Sequence, residues 1–267
     1  MGDKSKIEWT DASWNPTTGC TKVSQGCKNC YAERVFPRAY GKDREFTDIH
    51  MHADRLDLPL HWARPRRVFV NSMSDLFHEK VPFSFVDAVM ATMLGARQHT
   101  YQILTKRPAR MREYFSGVRE WTITREHIWL GVSVEDQATA DERIPLLLQT
   151  PAAVRFVSYE PALGPVDFTN WLGEDHDSYA MIDGLNWLIA GGESGPKARP
   201  ADIAWFRSAR DQCRAANVAF FMKQLGANAG TLLRAGGGTW ERFMTKDRAG
   251  ADPTEWPDDL RVRKFPL

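Results

Sequence analysis

Three of the four cysteines lie in one short segment, at a spacing typical of metal ligands. Cys20, Cys27 and Cys30 form a C-x6-C-x2-C pattern. Thiolates are the ligands of soft metals and of iron–sulfur clusters. Because a [4Fe–4S] cluster has four irons, three thiolates leave one iron open to a cofactor or a substrate. The segment therefore predicts an iron–sulfur cluster held by these three cysteines.

Zinc is the alternative metal at this segment. His50 or His52 could complete a Cys3His zinc site, which would suit a non-catalytic nucleic-acid-binding or protein-binding module. A disulfide framework is not favoured, because such frameworks belong to small domains in oxidising compartments. The fourth cysteine, Cys213, lies in a helical pattern and is expected to be a buried small hydrophobe.

The elements that position the cysteines follow an alternating pattern. Short apolar runs, rich in β-branched and aromatic residues, are typical of strands that are covered on both faces. They comprise residues 68–70, 101–104, 128–132, 154–157, 187–190 and 218–221, with a weaker candidate at 7–9. Helical patterns cover 84–97, 136–148 (broken or restarted at Pro145) and 200–216. The alternation predicts an α/β fold, a partial (β/α) TIM-type barrel of six or seven parallel strands. An open doubly wound sheet is the alternative.

Polar and ionisable residues follow each predicted strand. In a parallel barrel these ends would surround one mouth, the face where active sites lie, which favours an enzyme. The residues that we single out there are Ser74, Asp75, Lys106, Ser133, Glu135, Glu160, Glu193, Lys223 and Gln224.

Composition excludes some classes of protein. Net charge is +1, hydrophobic residues make up 43% and mean hydropathy is −0.44, which is typical of a soluble protein. No run approaches the roughly 20 apolar residues of a membrane span, and the N-terminal residues lack the apolar run of a secretory signal. We therefore expect a cytoplasmic protein without membrane contact. Two basic runs, 64–67 and 106–112, are interpreted as solvated surface, with phosphate contact as the alternative.

The cysteine segment resembles the cluster loop of the radical S-adenosylmethionine superfamily, with the first spacing lengthened from three residues to six. Residues 70–77, followed by Val81 and Pro82, are similar to the loop after the second barrel strand in its spore photoproduct lyase-like branch. Residues 9–16 and 221–226 resemble a family of phage and bacterial proteins that is known by its three-cysteine motif and is largely uncharacterised.

The resemblance implies a [4Fe–4S] cluster and S-adenosylmethionine as cofactors, and an enzyme that generates a 5′-deoxyadenosyl radical. Asp75 would contact the amino group of the cofactor, and Ser133 and Glu135 its ribose, although helix capping is the alternative for the latter two. Tyr31 and Ser74 complete the implied cofactor-binding set. From their positions after the predicted strands, we predict the catalytic or substrate-binding residues to be Lys106, Glu160, Glu193, Lys223 and Gln224. Structural ion pairs or surface positions are the alternatives.

The implied partners are a small-molecule or nucleobase substrate, or a nucleic acid, and a reductant protein of the flavodoxin or ferredoxin type. A third class of function is acid–base catalysis by Glu160 or Glu193 with only a structural metal.

We expect residues 1–267 to form a single barrel domain in which 226–267 are an irregular C-terminal cover.

Overall fold

The computed structural model describes residues 5–116, 125–172, 184–233 and 239–266. Within these ranges the helices are α1 (Tyr31–Tyr40), α2 (Phe83–Gly95), α3 (Pro108–Ser116), α4 (Gln137–Leu148) and α5 (Ile203–Ala215). The strands are β1 (Ala12–Trp14), β2 (Thr17–Thr18), β3 (His50–Met51), β4 (Arg67–Val70), β5 (Thr100–Thr105), β6 (Ile128–Val134), β7 (Val154–Tyr159), β8 (Trp187–Gly191), β9 (Ala201–Asp202), β10 (Ala219–Gln224), β11 (Ala229–Leu233) and β12 (Thr239–Arg242).

The chain divides into two compact units. The first unit comprises Met1–Ser24, Cys30–Val132 and Pro145–Arg155. The second unit comprises Gln25–Asn29, Ser133–Ile144 and Phe156–Leu267. The predicted single domain 1–267 stays a prediction.

The first unit is built on parallel strands in the order β1-β4-β5-β6. Trp14 of β1 is in register with Val70, Val70 with Ile103, and Ile103 with Leu130. Since residues in register on parallel strands point to the same face, these four side chains form one buried row across the sheet. This row is the core that fixes where the ends of β4 and β5 lie.

The second unit is built on parallel strands in the order β7-β8-β10. Val157, Leu188 and Phe220 form a buried row across these strands, and α5 packs on β8 and β10. A smaller sheet, β12-β11-β9, lies in the same unit. The predicted irregular cover, 226–267, thus includes strands β11 and β12 and two short 3-10 turns, Pro253–Glu255 and Asp258–Leu260.

The predicted α/β class is confirmed, because β4, β5, β6, β7, β8 and β10 coincide with the six apolar runs. The first strand was predicted wrongly: residues 7–9 form a turn, in which Thr10 N–H bonds to the Ile7 carbonyl, and β1 follows at Ala12–Trp14. Pro145 lies inside α4 and does not break it. Among the described residues, no helix combines the length and the apolarity that a membrane crossing requires.

Helix α3 was not predicted, since its residues lie in the basic run 106–112. The interpretation of that run as solvated surface is wrong for two of its arginines. Arg107 is buried, and Arg110 donates to the carbonyls of His78 and Val81 and lies 4.6 Å from the ring centre of Phe83. These arginines bind backbone and side-chain groups of the first unit.

We predict that Ile103→Ala lowers the free energy of unfolding by about 2–5 kcal/mol, because it removes a fully buried side chain from the middle of the row in the first unit. Urea unfolding followed by circular dichroism measures this loss. Met244→Ala is the control, since this side chain is 76% exposed and its loss is expected to cost less than about 0.5 kcal/mol. Equal losses in both variants would contradict the assigned core.

Candidate functional site

The cysteine segment begins at Gly19, a position where only glycine fits. Gly19 has φ +89°, and a Cβ atom there would lie 2.3 Å from the Asp48 carbonyl oxygen. Its N–H donates to Met73 O, and Cys20 N–H donates to Phe46 O. The backbone before the first cysteine is therefore fixed against two loops of the first unit.

The Cys20 sulfur lies beside a buried cation. Arg107 Nη1 is 3.5 Å from Cys20 Sγ and 3.2 Å from Asp75 Oδ2. Burial opposes the charged form of Arg107, but Asp75, Cys20 and Glu79 outweigh burial and raise its pKa. The guanidinium is therefore a permanent positive charge next to the sulfur.

Asp75, the predicted contact of the cofactor amino group, is almost fully buried. Its Oδ1 accepts hydrogen bonds from Phe77 N and Thr105 Oγ1, and its Oδ2 accepts from Lys106 N and Arg107 Nη1. A cofactor amino group would have to displace one of these four donors. In this arrangement Asp75 fixes the turn after β4 and the end of β5.

Thr21 connects this ion pair to a buried histidine. Lys80 N–H donates to His78 Nδ1, so the ring proton is assigned to Nε2, which lies 2.9 Å from Thr21 Oγ1. Burial, and then the charge of Arg107, lower the pKa of His78 and keep the ring neutral. Arg107 Nη2 donates to the same Thr21 hydroxyl at 2.8 Å. The residue after Cys20 is thus held from two sides.

Cys30 is the residue that precedes helix α1. Tyr31, the first residue of that helix, is 43% exposed and donates from its hydroxyl to Ser72 O. Ser74 donates to Thr17 O at 2.8 Å and lies 2.8 Å from Thr17 Oγ1. Tyr31 therefore contacts the loop after β4, and Ser74, which lies in that loop, contacts the segment before Cys20.

In the second unit, a buried carboxylate holds the segment 25–29 that contains Cys27. Glu193 binds Arg199, with Arg199 Nη2 2.6 Å from Oε1 and Nε 3.0 Å from Oε2. Asn29 Nδ2 donates to Glu193 Oε2 at 2.9 Å, and Arg199 Nη1 donates to Gln25 O at 3.0 Å. Burial opposes ionisation of Glu193, but hydrogen bonds from Arg199 and Asn29 outweigh it and lower its pKa below the ordinary 4.5.

A second buried carboxylate lies against Gly26. A Cβ atom at Gly26 would be 2.3 Å from Glu135 Oε1. Arg143 Nη1 holds this carboxylate at 3.2 and 3.3 Å and also donates to Ser133 O. Gly26 is therefore required because the fixed Glu135 side chain leaves no room for a Cβ. Helix α4 is capped by Asp136, whose Oδ1 accepts from Thr139 N, so Ser133 and Glu135 do not supply that cap.

The predicted residues Glu160, Lys223 and Gln224 form one cluster in the second unit. Lys223 Nζ lies 2.6 and 2.8 Å from the two oxygens of Glu160, and Gln224 Nε2 donates to Glu160 Oε1 at 3.0 Å. The side chains of Glu160 and Lys223 are 19% and 17% exposed. The cluster is a charged donor–acceptor pair that is partly exposed.

The three cysteine side chains are partly exposed and form no disulfide. Within the described residues, no three His, Cys, Asp or Glu side chains are gathered closely enough to hold a metal ion. His52 is committed elsewhere, since its Nε2 lies 2.9 Å from Thr18 Oγ1 and burial lowers its pKa to about 4. The predicted ligand set of Cys20, Cys27 and Cys30 stays a prediction.

Sequence reasoning missed the partners of the predicted acids. Arg107 was noted only as part of a basic run, and Arg143, Arg199 and Asn29 were not singled out. The position of Asn29 between Cys27 and Cys30 was the one available signal for a residue that fixes the cysteine segment. The arginines gave no signal, because an ion pair that forms only in the tertiary structure does not occur at a characteristic separation in the sequence.

A family model described as "Protein of unknown function (DUF5131)" matches residues 4–252, so the chain belongs to this family. No curated protein matches the chain. A solved structure of a Cys-to-Ser mutant of spore photoproduct lyase is similar, with a TM-score of 0.51 and 12% identity over 97% of this chain and 74% of that chain. This likeness shows the fold, a partial TIM-type α/β barrel. The solved structure of spore photoproduct lyase complexed with dinucleoside spore photoproduct has a TM-score of 0.41 and 12% identity, over 92% of this chain and 70% of that chain.

We predict that Glu193→Ala speeds hydrogen exchange at residues 25–29, because it removes the acceptor of both Asn29 and Arg199. Exchange followed by mass spectrometry at pH 7 measures this, with the exposed Glu241→Ala as the matched control. Since the pKa of Glu193 is lowered on folding, its stabilisation is complete above pH 4.5 and is lost as pH falls through the lowered value. Unchanged exchange in Glu193→Ala would disprove the assigned role.

Proposed function

We propose that this member of the DUF5131 family is a radical S-adenosylmethionine enzyme whose [4Fe–4S] cluster is held by Cys20, Cys27 and Cys30. The observation that supports the proposal most directly is the cysteine segment itself. Its three thiols are partly exposed, and a buried guanidinium lies at the first of them. The partial TIM-type barrel, predicted from the alternation of strands and helices, is also the fold shared with the similar spore photoproduct lyase structure.

The donor set suits an iron–sulfur cluster by its chemistry. Three accessible thiols in one segment can be deprotonated by metal binding, and the positive charge of Arg107 offsets negative charge at Cys20. Within the described residues the three thiols are not gathered into a metal site, so a bound cluster would require the cysteine segment to rearrange. Contacts of Gly19 and Thr21 hold the backbone next to Cys20 in the first unit, and Asn29 holds its own segment in the second unit.

When bound, the cluster and S-adenosylmethionine would supply a 5′-deoxyadenosyl radical that abstracts hydrogen from a substrate. Within the predicted cofactor-binding set, we assign direct contact to the exposed Tyr31 and the partly buried Ser74. Ser133 is buried, and its contact with the cofactor stays a prediction. We assign Asp75 and Glu135 to positioning, because Arg107 and Arg143 already bind their carboxylates. A reductant protein of the flavodoxin or ferredoxin type would deliver the electron.

We assign substrate contact to Glu160, Lys223 and Gln224. The partly exposed Lys223–Glu160 pair can donate and accept hydrogen bonds. A nucleobase offers donors and acceptors along one edge, which suits such a pair. Lys106, whose side chain is half-buried, remains a candidate for a phosphate contact, and Glu193 is assigned to the cysteine segment.

The cluster is tested by anaerobic reconstitution. We expect a dithionite-reduced [4Fe–4S]⁺ EPR signal that shifts when S-adenosylmethionine is added, and its loss in Cys27→Ala. Cys213→Ala is the matched control: this cysteine is buried in α5, where burial raises the pKa of its thiol to about 12, so the signal should persist. A colourless sample that binds one zinc per chain would disprove the radical mechanism.

The substrate class is tested by binding assays at several salt concentrations. We expect nucleosides, dinucleotides or single-stranded DNA or RNA to bind, and Lys223→Met to raise the Kd about tenfold, which is ~1.4 kcal/mol. The exposed Lys246→Met is the control and should leave the Kd unchanged. Absence of binding by every nucleic-acid ligand at low salt would rule out this substrate class and leave the cluster proposal standing.

A further inference from the structure

Residues 262–264, near the end of the chain, cover the outer edge of strand β10. This strand is the last in the order β7-β8-β10, so none of the described strands pairs with its other edge. Met222 N–H donates to Val262 O at 2.8 Å, and Lys264 N–H donates to Phe220 O at 2.9 Å. Residues 262–264 therefore run antiparallel to β10 and bind backbone groups that an uncovered edge would leave open.

Aromatic side chains anchor this segment in the second unit. Trp187 Nε1 donates to Lys264 O at 2.9 Å. The ring centre of Phe265 lies 5.3 Å from that of Trp187 and 5.2 Å from that of Phe221. Because Trp187 and Phe221 are buried strand residues, the segment packs on the core of the second unit and is not a free tail.

Arg263 joins this segment to the backbone of β10. Its Nε donates to Met222 O at 3.1 Å, and its Nη2 donates to Lys223 O at 3.0 Å. Its guanidinium carbon lies 5.0 Å from the ring centre of Trp256 and 5.4 Å from that of Phe221, within the range of cation–π attraction. The two rings therefore hold the guanidinium where it reaches two successive carbonyls.

These two carbonyls lie at an irregularity of β10. The pairing of β10 with β8 shifts register between Met222 and Gln224, so Lys223 is an extra residue opposite β8. An extra residue interrupts the ladder and redirects its own side chain. Here that side chain places Nζ at 2.6 and 2.8 Å from the two oxygens of Glu160. The backbone that sets the direction of Lys223 is thus held by Arg263 from the outer edge of the strand.

We propose that Arg263 is a positioning residue for the pair Lys223 and Glu160, which it serves by fixing the bulged backbone of Lys223. This inference rests on the substrate contact proposed for that pair and deepens it. Arg263 touches no ligand. It holds the backbone from which the Lys223 side chain reaches Glu160, or a ligand in place of Glu160. The C-terminal segment then contributes to the binding site as well as covering a strand edge.

The first test is competitive labelling of lysine amines by acetic anhydride, followed by mass spectrometry of the ligand-free protein. We expect Arg263→Met to raise the labelling of Lys223 relative to the exposed Lys246 about threefold, the scale of a partly exposed ion pair. The reason is that the Lys223 amine then spends less time on Glu160. An unchanged labelling ratio in Arg263→Met would overturn the inference.

Two further variants separate the guanidinium from its charge. Arg263→Lys keeps the charge but loses the fork that spans two carbonyls, so its labelling ratio should fall between those of Arg263→Met and wild type. Arg248→Met is the matched control, because Arg248 is an exposed arginine of the same unit. Its labelling ratio should equal that of wild type, and a rise as large as that in Arg263→Met would contradict a specific role of Arg263.

Ligand binding tests the functional consequence. The probes are nucleosides, dinucleotides and short mixed-sequence single-stranded DNA. For a probe that wild type binds, we expect Arg263→Met to raise the Kd about threefold and Arg248→Met to leave it unchanged. An unchanged Kd in Arg263→Met would overturn this inference alone. Absence of binding of every probe to wild type would overturn the proposed substrate class and this inference with it.

A last measurement avoids substitution, since Arg263→Met can loosen the whole C-terminal segment. In unsubstituted protein, a saturating bound probe should slow hydrogen exchange at the amides of Met222 and Lys264. The coupling between a ligand and the segment that positions its contact is reciprocal, so each stabilises the other. Residues 83–95 of α2, in the first unit, are the internal control. Equal exchange at Met222 and Lys264 with and without the bound probe would overturn the inference.

Discussion

The cysteine-bearing side of the first unit depends on one buried ion pair, Asp75 with Arg107. Both side chains are at most 7% exposed, and removing two such charges from water costs several kcal/mol per ion unless hydrogen bonds compensate. Here the compensation is complete: four donors reach the carboxylate and the guanidinium uses all its N–H groups. The pair fixes the loop after β4, the end of β5 and Thr21 as one arrangement, and the position of Cys20 follows from it.

Much of the fold could be predicted because apolar runs report burial directly. The run at 187–190 became β8, which is buried throughout, and its length and position came from composition alone. The run at 7–9 failed because Ile7 and Trp9 lie in a turn, while the strand that pairs with β4 is Ala12–Trp14. Both segments are only three residues long, so the sequence pattern did not distinguish the turn from the strand. Helix α3 was not predicted, because its buried Tyr114 and Phe115 follow a basic run whose Arg110 also turns inward.

The site was predictable only in part. The strand-end acids were found, since polar residues after parallel strands are visible in sequence, but their cations were not. Arg199 lies six residues after Glu193, Arg143 eight after Glu135, and Arg107 comes from a different strand end than Asp75. Each pair forms only once the tertiary structure brings the two side chains together, and no local sequence pattern predicts that. The requirement for glycine at position 26 was equally unpredictable, because a Cβ there is excluded only by the place in which Arg143 holds Glu135.

The partners of the strand-end acids also decide which of them a substrate can reach. Asp75, Glu135 and Glu193 have side chains that are 7%, 1% and 5% exposed, and each is bound by an arginine that also holds backbone. A ligand that took the hydrogen bonds of Asp75 or Glu135 would leave the buried guanidinium of Arg107 or Arg143 unpaired, which is expensive. Glu160 differs, because its partner is a lysine ammonium on a four-carbon stem instead of a planar guanidinium, and both side chains are partly exposed. We therefore propose substrate contact for this pair rather than for the buried acids, because Lys223 could turn to a ligand while water or the ligand satisfies Glu160.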